Sequence, residues 1–149
     1  QPDRSRPYRC RQDFHRICPR AAACEQDLIV RYYRLPRLFQ EIKIAQLEGE
    51  YSRLIKSLNK TDLLILDDWL RDPPTLSDAQ SLLDILDDRY SRSSTLLATQ
   101  FPIDAWYSRI PDPTLADAIL DRLIHNAHRI ELHGDSQRKL RAEQGMSSA

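Results

Sequence analysis

Two carboxylates stand side by side at the end of an unbroken apolar run, Leu63, Leu64, Ile65, Leu66, Asp67, Asp68. An acid pair at the tip of a buried strand can hold Mg²⁺ and orient an attacking water, as phosphoryl transfer requires. In that reading Asp67 takes the metal's water shell and Asp68 polarises the water. The plain alternative is that two acids end a strand and cap the next turn. A second apolar run, Ser93 to Thr99, ends in Thr99 and Gln100. Their hydroxyl and amide could sense a γ-phosphate or place the water, or could simply cap the strand end.

Two arginines extend this set. Arg122, in LADAILDRLIH, carries a planar charge suited to a neighbouring subunit's nucleotide, or to a surface salt bridge with Asp117 or Asp121. Arg138, in GDSQRKL, could contact phosphates or be a solvated tail residue. His125 and His128 read as packing residues rather than ligands. Cys10, Cys18 and Cys24, near His15, are too widely spaced for the close-pair pattern of a zinc site. Their odd number argues against a disulfide framework.

The elements that must position these groups alternate. Residues 28–35, rich in β-branched and aromatic residues, read as a strand. Pro36 opens a helix with Leu38, Ile42, Ala45 and Gln46 at helical spacing, and Gly49 breaks it. Residues 50–58 form a second helix that buries Tyr51, Leu54, Ile55 and Leu58. The run at 63–66, apolar throughout, belongs to a parallel sheet covered on both faces. After Pro73 and Pro74, Ser77 with Gln80 forms a capping box. The helix it starts runs through Tyr90, with Leu82, Leu83, Ile85, Leu86 and Tyr90 inward. Residues 93–99 are a strand, 103–109 a helix, and 115–126 a helix capped by Thr114. Residues 127–132, AHRIEL, are expected as the last strand. The class is α/β, a parallel sheet with helices on both faces, and ligands bind beyond the C-terminal ends of such strands. Both polar strand ends, 67–68 and 99–100, fall there.

The chain has 149 residues, enough for one core, with 22 basic and 22 acidic side chains. No apolar run approaches the ~18 residues of a membrane span. The start, QPDRSRPYRC, lacks an apolar h-region, so a cytoplasmic protein is expected. Residues 1–21 carry Arg4, Arg6, Arg9, Arg11, Arg16 and Arg20 against Asp3 and Asp13. That suits a basic arm on nucleic acid or a disordered tail.

RYYRLPRLFQE, KTDLLILDDW, RSSTLLATQFP and DPTLADAILDRLIHNAHRIEL together resemble IstB-like proteins, the ATP-binding helpers of insertion-sequence transposases and AAA+ relatives of the replicative helicase loader. The resemblance spans about residues 24 to 141. It implies ATP and Mg²⁺ as cofactors, homo-oligomers on DNA, a transposase partner and delivery of target DNA. Asp67 and Asp68 fall on the family's Walker B acids, Thr99 and Gln100 on its sensor region, Arg122 on its arginine finger and Arg138 in its second sensor segment. WLRDPP departs from the pattern, because the family usually has a glycine and a shorter turn there.

The family's G-x-x-x-x-G-K-[ST] loop has no counterpart. Gly49, Gly134 and Gly145 are the three glycines, and none precedes the first strand. Bulky residues keep backbone amides from wrapping phosphates. A one-base shift of permitted codons for residues 8–21 spells T-G-V-G-K-T-F-I-A-Y-A-L-A, the end of a P-loop and its helix. Residues 1–23 are therefore expected to be disordered or out of frame, 24–133 a partial AAA+ core lacking its central P-loop strand, and 134–149 a flexible tail. Unpaired buried backbone costs about 1–3 kcal/mol per group, so the chain alone is expected to be marginal. Three functions follow as expectations: a truncated IstB-like ATPase deficient in hydrolysis, a non-catalytic remnant that joins intact relatives, or a basic-arm DNA binder.

Overall fold

A computed structural model describes residues 28–125 and 127–130. The arginine-rich segment, the three cysteines, His15, Arg138 and the tail from Gly134 lie outside them.

Three strands, β1 (Val30–Arg34), β2 (Leu63–Asp67) and β3 (Ser94–Leu97), form a parallel sheet in chain order with β2 central. Val30 pairs with Leu63 and Arg34 with Asp67, while Leu63 pairs with Ser94 and Leu66 with Leu97. All three C-terminal ends therefore point the same way. The connections are helical: α1 (Leu35–Leu47) and α2 (Tyr51–Asn59) before β2, and α3 (Leu76–Arg89) before β3. A 3-10 turn (Ile103–Ala105), the one-turn α4 (Trp106–Arg109) and α5 (Pro113–Ile124) follow. The expected α/β class and parallel sheet hold. No helix among the described residues is long and apolar enough to cross a membrane.

The strand period of two divides the sheet into unequal faces. Leu64 and Leu66 point into the main core, where every described α-helix contributes, among them Leu38 and Ile42, Leu58, Leu82 and Ile85, Trp106, and Ala116 and Ile119. The opposite face holds a small cluster of Val30 and Ile65 with Leu63 and Leu96, drawn from the strands alone.

Several local expectations are corrected. The capping box is Thr75 with Asp78, not Ser77 with Gln80. Thr75 is extended, and its Oγ1 accepts the Asp78 N–H at 3.2 Å while Asp78 Oδ2 accepts the Thr75 N–H at 3.1 Å. Lys43 of α1 pairs with the same carboxylate at 3.1 Å. Burial pushes Asp78 up, but the two Thr75 hydrogen bonds and the lysine outweigh it and hold its carboxyl below its ordinary value. Tyr90 is exposed, and Arg89 takes the inward position instead, because Leu82, Ile85, Leu86 and Arg89 continue one helical stripe. Its guanidinium is buried but satisfied: Nη1 donates to the carbonyls of Leu58 (2.6 Å) and Thr61 (2.8 Å), Nη2 to that of Ser94 (2.6 Å), and Nε to Thr95 Oγ1 (3.2 Å).

The cap of α5 is Asp112, whose carboxylate accepts the Leu115 N–H at 2.8 Å, with Pro113 in the first turn. Thr114 is exposed inside the helix. In α2 only Leu58 is buried, and Tyr51, Leu54 and Ile55 are half-covered. Residues 127–130 of the expected last strand are exposed and carry no strand pairing among the described residues. Gly49 does break α1, at φ +73°.

Candidate active site

The acid pair sits at the C-terminal end of the central strand, flanked by strand ends on both sides. Asp67 is held at both oxygens. Its Oδ1 accepts the Asp68 N–H at 2.8 Å, and its Oδ2 accepts the Tyr32 hydroxyl at 2.5 Å. Tyr32 and Arg34 alternate on β1, so both lie on the face that carries Asp67. Burial and then the hydrogen bond to Asp67 raise the Tyr32 phenol above its ordinary value.

Asp68 begins a turn with unusual backbone. Its φ is +55° and that of Leu70 is +52°, a left-handed region that costs non-glycine residues about 1–2 kcal/mol each. Leu70 is the residue of WLRDPP that stands where a glycine would be unstrained, and its side chain is fully buried. The Arg71 N–H closes the turn onto the Asp68 carbonyl at 3.0 Å. Asp68 Oδ2 meets Arg71 Nη1 at 3.0 Å and Arg34 Nε at 3.7 Å.

The turn is fastened to the segment after β3. The Trp69 N–H donates to the Ala98 carbonyl at 3.0 Å, and Thr99 Oγ1 donates to the Trp69 carbonyl at 3.4 Å. Thr99 Oγ1 also accepts the Phe101 N–H at 3.0 Å. Arg109 donates from Nε to the Leu70 carbonyl and from Nη2 to the Arg71 carbonyl, both at 2.6 Å, with its guanidinium 4.0 Å above the Phe101 ring. Beneath the turn, the Trp69 and Trp106 rings lie 5.6 Å apart at 59°, a tilted pair typical of buried aromatics. Asp67, Asp68, Thr99 and the exposed Gln100 thus gather at one end of the sheet.

Arg122 is elsewhere. Its Nε pairs with Asp87 Oδ1 at 2.6 Å, and Nη1 reaches Asp121 at 3.5 Å. Asp87 lies near the C-terminus of α3, the helix that carries the chain back to the start of β3. Arg122 therefore belongs to the end of the sheet opposite the acids. It ties α5 to α3, and of the two expected surface partners it meets Asp121, with Asp87 the closer one. His125 is exposed and faces Asp121 at 3.4 Å.

The donor set suits Mg²⁺ held through water. Carboxylate oxygens are its preferred ligands, and it retains several waters while taking one or two carboxylates and phosphate oxygens. With both Asp67 oxygens already accepting hydrogen bonds, a water-mediated contact fits better than direct ligation. Among the described residues no group of three or more His, Cys, Asp or Glu could hold a metal by itself.

Sequence reasoning missed Tyr32, Arg34, Arg71 and Arg109. The first three had a signal: residues two apart at the end of a strand beside the acids, and a cation three residues past Asp68. Arg109 had none, since it lies 39 residues from Leu70 in the chain.

Residues 17–145 match the sequence family described as IstB-like ATP binding protein. The chain is 50% identical over 117 residues to an insertion sequence ATP-binding protein of Sinorhizobium fredii, y4pL, covering 78% of this chain and 48% of the relative. A second protein of that organism, y4uH, is 48% identical over 119 residues, covering 80% and 48%. The IS21 ATP-binding protein of Pseudomonas aeruginosa is 30% identical over 109 residues, covering 73% and 41%. The chain spans about half the length of the curated relatives it matches. Among solved structures, the DnaC helicase loader superposes with a TM-score of 0.56 at 17% identity, covering 69% of this chain and 63% of that one. That likeness is one of fold.

Proposed function

The chain belongs to the IstB-like ATP binding protein family, and on that premise we propose that residues 28–125 carry the metal-and-water half of the ATP site of a DNA-transposition helper. The observation that carries this reading is the acid pair at the tip of the central strand, whose following residue Trp69 is hydrogen-bonded to Ala98 and Thr99 at the adjacent strand end.

In this reading Mg²⁺, when bound with ATP, neutralises charge on the phosphates. Asp67 receives the metal's water shell, kept in one orientation by Tyr32 and by the Asp68 amide. Asp68 polarises the attacking water once its carboxylate is drawn from Arg71, whose guanidinium then faces the phosphates. Thr99 and Gln100 offer a hydroxyl and an amide at the neighbouring strand end. Arg122, far from the acids of its own chain, acts on a neighbouring subunit's nucleotide after leaving Asp87. Arg138 contributes to phosphate contacts from the C-terminal segment.

The 149 residues hold no G-x-x-x-x-G-K-[ST], so ATP binding by them alone is expected to be weak and hydrolysis deficient. The partners proposed are a transposase, target DNA and further copies of the chain, in the cytoplasm. Calorimetric titration with Mg²⁺ and ATP tests the reading. Weak binding that Asp67→Asn diminishes is the expected result. Micromolar, Mg²⁺-dependent binding would show that the phosphates are cradled without a P-loop, and binding indifferent to Asp67→Asn would remove the acids from the site.

A further inference from the structure

The turn that presents Asp68 has two left-handed non-glycine residues in three positions, and its own closure is a single Arg71 N–H to the Asp68 carbonyl. Left to itself, such a turn relaxes toward less strained backbone. Something outside it must hold it, and Arg109 has the geometry to do so. Its Nε and Nη2 belong to one rigid plane and donate to the carbonyls of two successive residues, Leu70 and Arg71, at 2.6 Å each. Two bonds from one plane fix the orientation of the two successive peptide groups that flank Arg71. They hold Leu70 left-handed and set where the Arg71 side chain starts. Arg71 in turn meets Asp68 Oδ2 at 3.0 Å. The guanidinium is itself braced over Phe101, whose N–H binds Thr99 Oγ1.

We infer that Arg109 is a positioning residue for Asp68, acting through the Leu70 and Arg71 carbonyls to hold the acid turn against its backbone strain. The inference rests on the reading of Asp68 as the water-polarising carboxylate. A lysine keeps the charge but has no fork, so it cannot orient a peptide in this way.

The test is amide hydrogen exchange by NMR on the full chain, with Arg109→Lys as the main variant and Arg109→Ala as the second. Their stability is followed by urea unfolding. The Trp69 and Arg71 amides, bonded to Ala98 and Asp68, are expected to exchange at least tenfold faster in Arg109→Lys. Amides of Leu64 to Leu66 should keep their wild-type protection. A uniform rise across β2 and the turn would overturn the inference, because Arg109 would then be a general stabiliser, and unchanged Trp69 and Arg71 exchange would overturn it outright. Mn²⁺ alone serves as a second probe: its broadening of the Asp67 and Asp68 amides should weaken about tenfold in Arg109→Lys. Equal broadening in both proteins would separate the turn from Asp68 and sink the proposal. A wild-type chain that shows no broadening, together with localised opening in Arg109→Lys, would remove the metal reading of the acids while supporting the positioning of Asp68.

Discussion

Asp68 Oδ2 lies 3.0 Å from Arg71 Nη1, three residues along a turn that the main chain also closes between the same two residues. The group proposed to polarise water is thus held by a cation of its own turn, with Arg34 of β1 at 3.7 Å as a second. Arg71 divides its charge between Asp68 and Asp72, each at 3.0 Å. A half-exposed arginine in such a position is exchangeable: an oligophosphate can compete for it without dismantling the fold.

Arg71→Ala is accordingly expected to leave the urea midpoint unchanged within error, since exposed ion pairs contribute little to stability. Its effect should appear in ATP titrations, where losing a phosphate-facing cation weakens binding. A large drop in the midpoint would show that the turn depends on this pair rather than on Arg109.

Arg89 is the opposite case, buried at 2% exposure with its donors on three carbonyls and a hydroxyl. Arg89→Met removes the guanidinium's hydrogen bonds to the carbonyls of Leu58, Thr61 and Ser94, and the expected loss is ~3 kcal/mol or more by chemical denaturation. Arg89→Lys should recover little, because one ammonium cannot reach acceptors on both β2 and β3 approaches. A loss below about 1 kcal/mol would mean that water replaces the guanidinium at those carbonyls.

Asp78 makes stability depend on pH in a definite direction. Its folded carboxyl titrates below its ordinary value, despite burial, because Thr75 and Lys43 favour the charged form. Its contribution is therefore fully present above the unfolded value near 3.9 and is lost as pH falls through the lower folded value. Asp78→Asn should flatten this acid limb in unfolding curves recorded from about pH 5 downward. Thr75→Ala should cost about 1 kcal/mol at neutral pH through the lost cap. An acid limb unchanged in Asp78→Asn would assign it to other carboxylates.

Two substitutions separate the caps of α5. Asp112→Ala should cost about 1 kcal/mol, because the Leu115 N–H loses its acceptor. Thr114→Ala, at an exposed position within the helix, should change stability by less than about 0.5 kcal/mol. Thermal or urea unfolding of the pair decides the matter, and equal losses would place the helix start at Thr114 after all.

The strands around the acids were readable because their signals are local. Four apolar residues ended by Asp67 and Asp68 specify a buried strand with a polar tip, and Pro36 and Gly49 delimit a helix by their own backbone restrictions. Thr99 and Gln100 could be aligned with the acids because parallel strands put like ends together. Cap positions were less legible. Ser77 and Thr75 both satisfy the spacing rule, and Thr114 and Asp112 both precede an apolar stripe. At α5 the choice fell to Pro113, which sets Asp112 extended, and at α3 to the reciprocal hydrogen bonds that Thr75 and Asp78 make. Tyr90 and Arg89 were reversed because an arginine reads as surface until its carbonyl partners are known.

By itself, then, the sequence determined the parallel α/β class and the strand that carries Asp67 and Asp68, which depend on periodicity and local chemistry, and the family, which rests on the likeness of whole motif strings. Tertiary structure alone decided how the acids are held: Tyr32 on Asp67, Arg71 and Arg34 on Asp68, and Arg109 on the carbonyls of Leu70 and Arg71. It also put Arg122 on Asp87, away from them. Such contacts join residues up to 39 positions apart, and a left-handed leucine betrays nothing in its letter. They arise only when strand ends, turns and helix ends are packed against one another.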